Sequence, residues 1–453
     1  MKIDFARSGP GGRTGLQMTD ETTRARRLDF RLTAYTASFL LVFGFVFASH
    51  YLSPVRTPGD SRFALQISAS FLDGEWGDVS DFEPIVSEIN NGHVRPIGDN
   101  LLSFFPVGVT LLSAPFVALF RLVYPGFDDL LRQSSLGDVQ AFIASIWIAL
   151  ATVILGVALK RRFGFPAAMW GMVAFAFGTS AWSTASRAMW QHAAFLPLVS
   201  LAILLLVDGE EHPRRIRYLG LVLALAYVVR PTAAVFIVVL APYVARRFRE
   251  QLGPFLAWAA IVAVPWIVYN IVFYEGLLPP YYSGGRLAGA GIATMVVGLA
   301  GNLVSPARGL FIFSPVLLLA MAGYVISLRS SSDRALNVSL GLIVVLHWIM
   351  VSSFDPWYGG FSFGPRMMVD VVPIFVFYLG HVLRNGSGAF GPLLHTSFGL
   401  LLVFSIFVHS QGAFDSAVHG WNSTPTPVTE QESRLWDWSD LQFLRGVNVH
   451  PRR

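Results

Sequence analysis

Two kinds of residue in this sequence could move a proton or bind an anion: acids at the ends of apolar runs, and arginines set in Gly/Pro turns. Asp60 stands in Pro58-Gly59-Asp60-Ser61-Arg62, directly after the first apolar run. The Pro-Gly pair fixes a turn there, and an ionisable group at a membrane boundary is a functional-site candidate by default. Arg308 lies in Ser305-Pro306-Ala307-Arg308-Gly309 and Arg366 in Gly364-Pro365-Arg366, each opening an apolar run. Arg62, Arg187 and Arg230 also lie at run ends or breaks, with His192 following Trp190-Gln191. Arginine binds phosphate through two parallel N–H donors. A carboxylate takes up an acceptor proton or places a metal, and Trp357 and Tyr358 offer rings for a sugar face. A single arginine near an interface is ordinarily a charge snorkelling to headgroups. Arg308 and Arg366 escape that reading because their settings are rigid.

The elements that position these residues are apolar. The chain has 453 residues, 54% hydrophobic and 13% charged, against about 25% charged in soluble domains. Many apolar runs approach 20 residues, so the fold class is all-α integral membrane. The net charge of +5 sits in short basic clusters between runs and reports topology, not nucleic acid. There are no cysteines, which excludes disulfides, thiolate metal sites and a cysteine nucleophile.

The basic clusters set the orientation. Residues 1–32, Arg-rich and polar, read as a disordered cytoplasmic tail; 33–52 is a retained signal anchor, and 53–137 is the first extracytoplasmic loop. The cluster Lys160-Arg161-Arg162 lies inside. Only one of the runs 101–121 and 138–159 can then cross. Pro106, Gly108 and Pro115 break the former, which becomes a pair of re-entrant or interfacial helices. The run 217–245, split at Arg230-Pro231 and basic at both ends, is a hairpin whose turn lies within the membrane's thickness. About 11 transmembrane helices fill 33–410, and 411–453 is an extracytoplasmic tail with Trp421, Trp436 and Trp438. Asp60, Arg62, Arg187, Gln191, His192, Arg230, Tyr281, Tyr282, Arg286, Arg308, Asp355, Tyr358 and Arg366 then all gather on the outer side.

A divalent metal held by Asp60, Asp78 or Glu75 with His192 is compatible with the residue types, but no ligand spacing is diagnostic. No Ser-His-Asp order, phosphate-binding glycine loop or zinc motif is present. Taken singly, Asp73, Asp81 and Glu83 are solvated loop charges, and His347, within a span, is structural.

Four pieces together resemble the GT-C-type integral membrane glycosyltransferases that use polyprenyl-phosphate donors, including the protein mannosyltransferase-like and aminoarabinose-transferase-like families. They are Gly59-Asp60, Arg230-Pro231, Ser305-Pro306-Ala307-Arg308-Gly309-Leu310 with Ser314-Pro315, and Trp357-Tyr358-Gly359-Gly360 through Gly364-Pro365-Arg366. The resemblance covers roughly residues 33–385. It implies juxtamembrane helices in the first outer loop and an inverting transfer from a polyprenyl-phosphate sugar to an extracytoplasmic acceptor, at the outer face of the inner (plasma) membrane. Asp60 is the expected base, and Arg308 and Arg366 hold the donor phosphate. Arg230 adds charge; Arg62, Arg187 and His192 contact substrate; Trp357 and Tyr358 shape the sugar site. Relatives often carry a second acid where this chain has Arg187, Gln191 and His192. A flippase or transporter for a lipid-linked sugar, and a lipid-linked oligosaccharide ligase or polymerase, are the competing functions. A secondary transporter would show paired repeats with midplane ion sites, and only one broken hairpin is present.

Overall fold

The computed structural model describes residues 14–282, 291–329, 333–384 and 391–447, with side chains from residue 33 onward; Arg286 and the segment 1–13 lie outside the described residues. Helix α1 (Thr14–Tyr51) already begins within the stretch read as a disordered tail. The first loop then folds as a small layer: α2 (Ala64–Asp73), α3 (Glu83–Ile89), the antiparallel strands β1 (Val94–Ile97) and β2 (Asn100–Ser103), α4 (Gly108–Val123) and α5 (Phe127–Leu131). Its buried residues Leu65, Ile67, Phe82, Val117 and Leu131 are continuous with the core of the bundle. Both carboxylate oxygens of Asp73 take Arg121 donors at 2.7 and 2.8 Å, and Asp128 takes a third at 2.8 Å.

One expectation is corrected here. The run 101–121 is not a pair of broken helices: after the short strand, α4 is continuous through Pro115. Proline deletes one ladder donor, and hydroxyls of Ser68 and Ser113 donate to Thr110 O beside the gap, at 2.9 and 3.0 Å.

The bundle follows: α6 (Gly137–Phe163), α7 (Phe165–Phe177), α8 (Gln191–Gly209), α9 (Arg217–Val229), α10 (Ala234–Arg247), α11 (Leu252–Tyr274), α12 (Ile292–Val304), α13 (Leu310–Phe313), α14 (Leu318–Ser327), α15 (Arg334–Ser352), α16 (Val372–Arg384) and α17 (Gly391–Phe414). Among the described residues, 7 helical segments are long and apolar enough to cross a membrane; α7, α9, α10 and the segment 310–327 complete the bundle in shorter pieces. The chain is an all-α integral membrane protein of multi-pass type. Helices α6, α8 and α16 form its enclosed centre, while α1, α11 and α17 are mostly exposed at its flanks. Helix α12 was not foreseen in the outer loop. It lies against the outer end of α15, where Asn302 donates to Ser352 Oγ at 3.1 Å.

Charges tie the ends opposite Asp60 together. Asp208 pairs with Arg161 and Arg215, Arg162 with Asp333, and Arg247 with Glu210 at 2.7 Å. Both ends of the α9–α10 segment therefore lie at one face, and the segment is a hairpin. Its tip is fixed by the residue before Pro231. Arg230 takes an extended conformation, φ −154° and ψ 124°, because proline disfavours the helical region in its predecessor. The tip meets the first loop at Gly108, where an added Cβ would lie 2.6 Å from Val228 O. No side chain fits between those two backbones.

Candidate active site

Asp60 sits in a single tight turn, Gly59–Ser61, held from three directions. Ser61 Oγ donates to Gln140 Oε1 at 2.6 Å, which anchors the turn to the start of α6. Trp190 Nε1 donates to Pro58 O at 3.3 Å, and the Trp190 ring lies 3.3 Å from where a Cβ on Gly59 would be. Thr57 N donates to Arg187 O at 3.3 Å. The residue type at position 59 is thus set by the close approach of an indole.

Arg366 Nη2 pairs with Asp60 Oδ2, and its guanidinium carbon lies 3.9 Å from the centroid of the Trp190 ring. Arg366 Nη1 donates to Gly359 O at 3.3 Å. The carboxylate keeps 32% of its side-chain surface exposed and the guanidinium 13%. Asp60 lines a cleft with Phe63, His93, Phe105, Trp190 and Gln191, and Arg366 reaches it from behind the Trp190 ring. Burial and the charge of Arg62 hold the His93 imidazole below its ordinary range, so it faces the cleft uncharged at neutral pH.

Behind Gln191 lies a buried polar cluster that sequence reading missed. Asp370, fully buried, accepts from His192 Nδ1 at 2.7 Å, Arg230 Nε at 2.5 Å and Thr232 Oγ1 at 3.0 Å. His347 Nε2 donates to Met367 O at 3.0 Å and lies 3.8 Å from Asp370 Oδ2. Arg230 Nη1 donates to Gln191 Oε1 at 3.2 Å. The signal was present in the sequence: a lone acid within an otherwise apolar span asks for a partner and a purpose.

The remaining candidates fall elsewhere. Arg187 is fully buried and donates to Trp182 O and Ser53 O, both at 3.0 Å, to Ser186 Oγ at 2.8 Å, and to His50 O. It therefore satisfies carbonyls at the end of α1 that the helix leaves open and supports Asp60's turn through Thr57 N, without lining the cleft. Arg62 donates to Ile89 O at 2.6 Å within the first loop. Arg308 lies beyond the Gly359-Gly360 pair from Arg366, with Nη1 on Gln442 Oε1 (2.8 Å) and Nη2 on Asn422 Oδ1 (2.6 Å) and Gly360 O (3.2 Å). Burial pulls this guanidinium down to about 9. Its terminal donors are shared between the tail and the carbonyls of Ala307 and Gly360. Trp357 and Tyr358 are buried in the same cap, packed with Ala307, Trp421, Val428 and Leu435. Burial, reinforced by Glu432, pushes the Tyr358 hydroxyl up to about 12.

The tail organises this cap. Gln442 makes four hydrogen bonds: it accepts from Arg308 and from Gly364 N (3.1 Å), and donates to Ser362 O (3.0 Å) and Val418 O (3.2 Å). The loop 354–366 is thereby sewn to the tail at one end and to Asp60, through Arg366, at the other. Asp78, weighed as a metal ligand, instead accepts from Leu101 N at 2.8 Å and Ser80 N at 3.1 Å. Among the described residues, no three His, Cys, Asp or Glu side chains converge so as to hold a metal ion.

The bundle with its layered first loop and capped end has the fold seen in solved membrane-enzyme structures. Two solved structures carry the comparison. ArnT from Cupriavidus metallidurans bound to undecaprenyl phosphate superposes with a TM-score of 0.56 at 14% identity, over 86% of this chain and 69% of that one. Apo ArnT from the same organism gives 0.50 at 14%, over 87% and 66%. An Archaeoglobus fulgidus oligosaccharyltransferase tethered to an acceptor peptide gives 0.49 at 10%, over 89% and 59%. The chain spans about two thirds of the length of the ArnT chains. No protein-family model and no curated protein sequence matches it.

Proposed function

We propose that the protein is a glycosyltransferase that moves a sugar from a polyprenyl-phosphate donor to an acceptor hydroxyl on the extracytoplasmic face of the inner membrane. The Asp60–Arg366 pair carries the reading: a half-buried carboxylate that lines a cleft is held by an arginine stacked on an indole of the same cleft, at the end of a membrane bundle. The fold agrees, and ArnT with undecaprenyl phosphate shows this fold beside a polyprenyl phosphate.

The chemistry follows from the pair. Asp60 takes the proton of the acceptor hydroxyl as its oxygen bonds to the sugar's anomeric carbon. The bond from that carbon to the phosphate oxygen breaks from the opposite side, inverting the centre. The polyprenyl phosphate leaves with the electron pair and gains negative charge, which Arg366, with Arg230 behind it, stabilises. Arg366 pairs with Asp60. A donor phosphate competes for that guanidinium, and the exchange releases the carboxylate for the acceptor. Arg308, Trp357 and Tyr358 support the loop that carries Arg366. The sugar and the acceptor's identity, whether protein, lipid or polysaccharide, are set by residues around the cleft mouth.

The test is transfer itself. Purified protein is incubated with a panel of radiolabelled polyprenyl-phosphate sugars and membrane fractions, and label is followed out of the lipid phase. Label moving to an acceptor with the parent, and not with Asp60→Asn, supports the reading. A lipid-linked sugar that crosses the bilayer with its phosphate bond intact indicates a flippase instead.

A further inference from the structure

We infer that Asp370 is a positioning residue: its buried carboxylate orients Arg230 so that one guanidinium edge is presented to the donor phosphate. The inference rests on the transfer reading above and deepens it.

Arg230 is a cation at the tip of a hairpin, 5% exposed, among apolar helices. A guanidinium there is tolerable only if paired. Asp370 supplies the pairing from the short helical segment Arg366–Val371 that precedes α16, four positions after Arg366 in the chain. The carboxylate does more than neutralise. Its Oδ2 holds Arg230 Nε while also accepting from Thr232, and its Oδ1 is fixed by His192. With Nε pinned there and Nη1 on Gln191, the guanidinium plane has no rotational freedom. Among the described residues, Nη2 has no hydrogen-bond partner, although it is not among the buried polar atoms left without one. The free edge is therefore not sealed in apolar packing, and Gln191, which Nη1 holds, is the residue that lines the cleft with Asp60.

Arg230 and Arg366 then have different duties. Arg366 gives up its carboxylate when a phosphate arrives and contributes charge. Arg230 keeps Asp370 throughout and contributes a directed N–H donor whose charge is already compensated. Because Arg366 and Asp370 lie on one short helical segment, Arg366–Val371, the two arginines are placed by a single rigid element.

The experiment measures undecaprenyl phosphate binding by the purified full chain in detergent, for the parent, Asp370→Asn, Arg230→Gln and the double variant, with thermal stability recorded beside each. Asp370→Asn and Arg230→Gln should each weaken binding roughly tenfold or more, the scale of one charge-assisted hydrogen bond. The double variant should bind no worse than Arg230→Gln alone. A carboxylate that merely held helices together would lower stability and add its effect to that of Arg230→Gln. Additive effects, or parent-like binding by Asp370→Asn, overturn the inference while leaving the transfer reading in place. Should Asp370→Asn not fold, Arg230→Gln is compared with the double variant, whose buried charges are both removed; weaker binding by the double variant is again the overturning result. A parent that does not bind undecaprenyl phosphate at all overturns both.

Discussion

Asp60 and Arg366 are 306 positions apart in the chain and form an ion pair over the face of Trp190. The pair joins the first outer loop to the last one, so each residue reports on the other's chemistry.

Asp60→Asn removes the base but keeps the side chain's size. Transfer should fall by about 10²–10⁴-fold. Donor binding should hold or tighten, because Arg366 no longer has a carboxylate to leave. Side-by-side measurement of donor binding and turnover checks this; full turnover by the variant takes Asp60 out of the mechanism.

Arg366→Ala should weaken donor binding by about 1.5–3 kcal/mol, the range for a hydrogen bond to a charged group. Trp190→Leu should act in the same direction more mildly, by about 0.5–2 kcal/mol of lost cation–π contact. Titration of the lipid phosphate into each variant separates them. If Arg366→Ala binds as tightly as the parent, the donor phosphate sits elsewhere.

Arg308→Ala should behave differently. Its partners Asn422 and Gln442 lie in the tail, and leaving them buried and unpaired costs about 1–3 kcal/mol each. The expected readouts are a lower melting temperature and faster proteolysis after Phe414, with donor affinity changed less than by Arg366→Ala. Gln442→Leu should give the same pattern.

Acid should loosen the first loop. The His93 imidazole lies below its ordinary 6.5 through burial and the Arg62 charge. The unfolded chain therefore takes the proton first, and the stability present above pH 6.5 is lost as pH falls through the folded value. Melting temperatures between about pH 5 and 7.5 should fall on the acid side, and His93→Gln should flatten part of that slope. An unchanged slope removes His93 as its source.

Single cysteines test the topology in a chain that has none. Cys at Ser80 and at Ser134, both exposed in the first loop, should react with an impermeant thiol reagent in intact cells. Cys at Arg329 should not. Labelling at 80 without labelling at 134 means that α4 crosses the membrane.

Much of the arrangement was legible from residue order. Basic clusters at 160–162, 214–217 and 246–249 locate the hairpin, because charge is costly in lipid. Arg230-Pro231 locates its tip, because proline dictates its predecessor's backbone. Arg308 shows where such reasoning stops. A Pro/Gly setting indicates a fixed backbone, and Arg308 and Arg366 share one. What each guanidinium touches depends on tail residues 114 and 134 positions away for the first and on Asp60 for the second. Those partners are settled by packing, which has no local signature. The four-residue strands β1 and β2 are too short to show alternation, and α12 is masked by the glycines before it. Asp370 was visible as an intramembrane acid, yet its partners come from three other segments.

The stitching by Gln442 has a consequence for biogenesis. Loop 354–366 emerges from the ribosome before α17 and the tail, so the segment that fastens it is made last. Until residues 415–447 have folded, Arg308 lacks its Asn422 and Gln442 partners and the loop bearing Arg366 has only one of its two moorings. A chain stalled or clipped after α17 would thus be inserted yet hold the Asp60–Arg366 pair on a loop fastened at one end only.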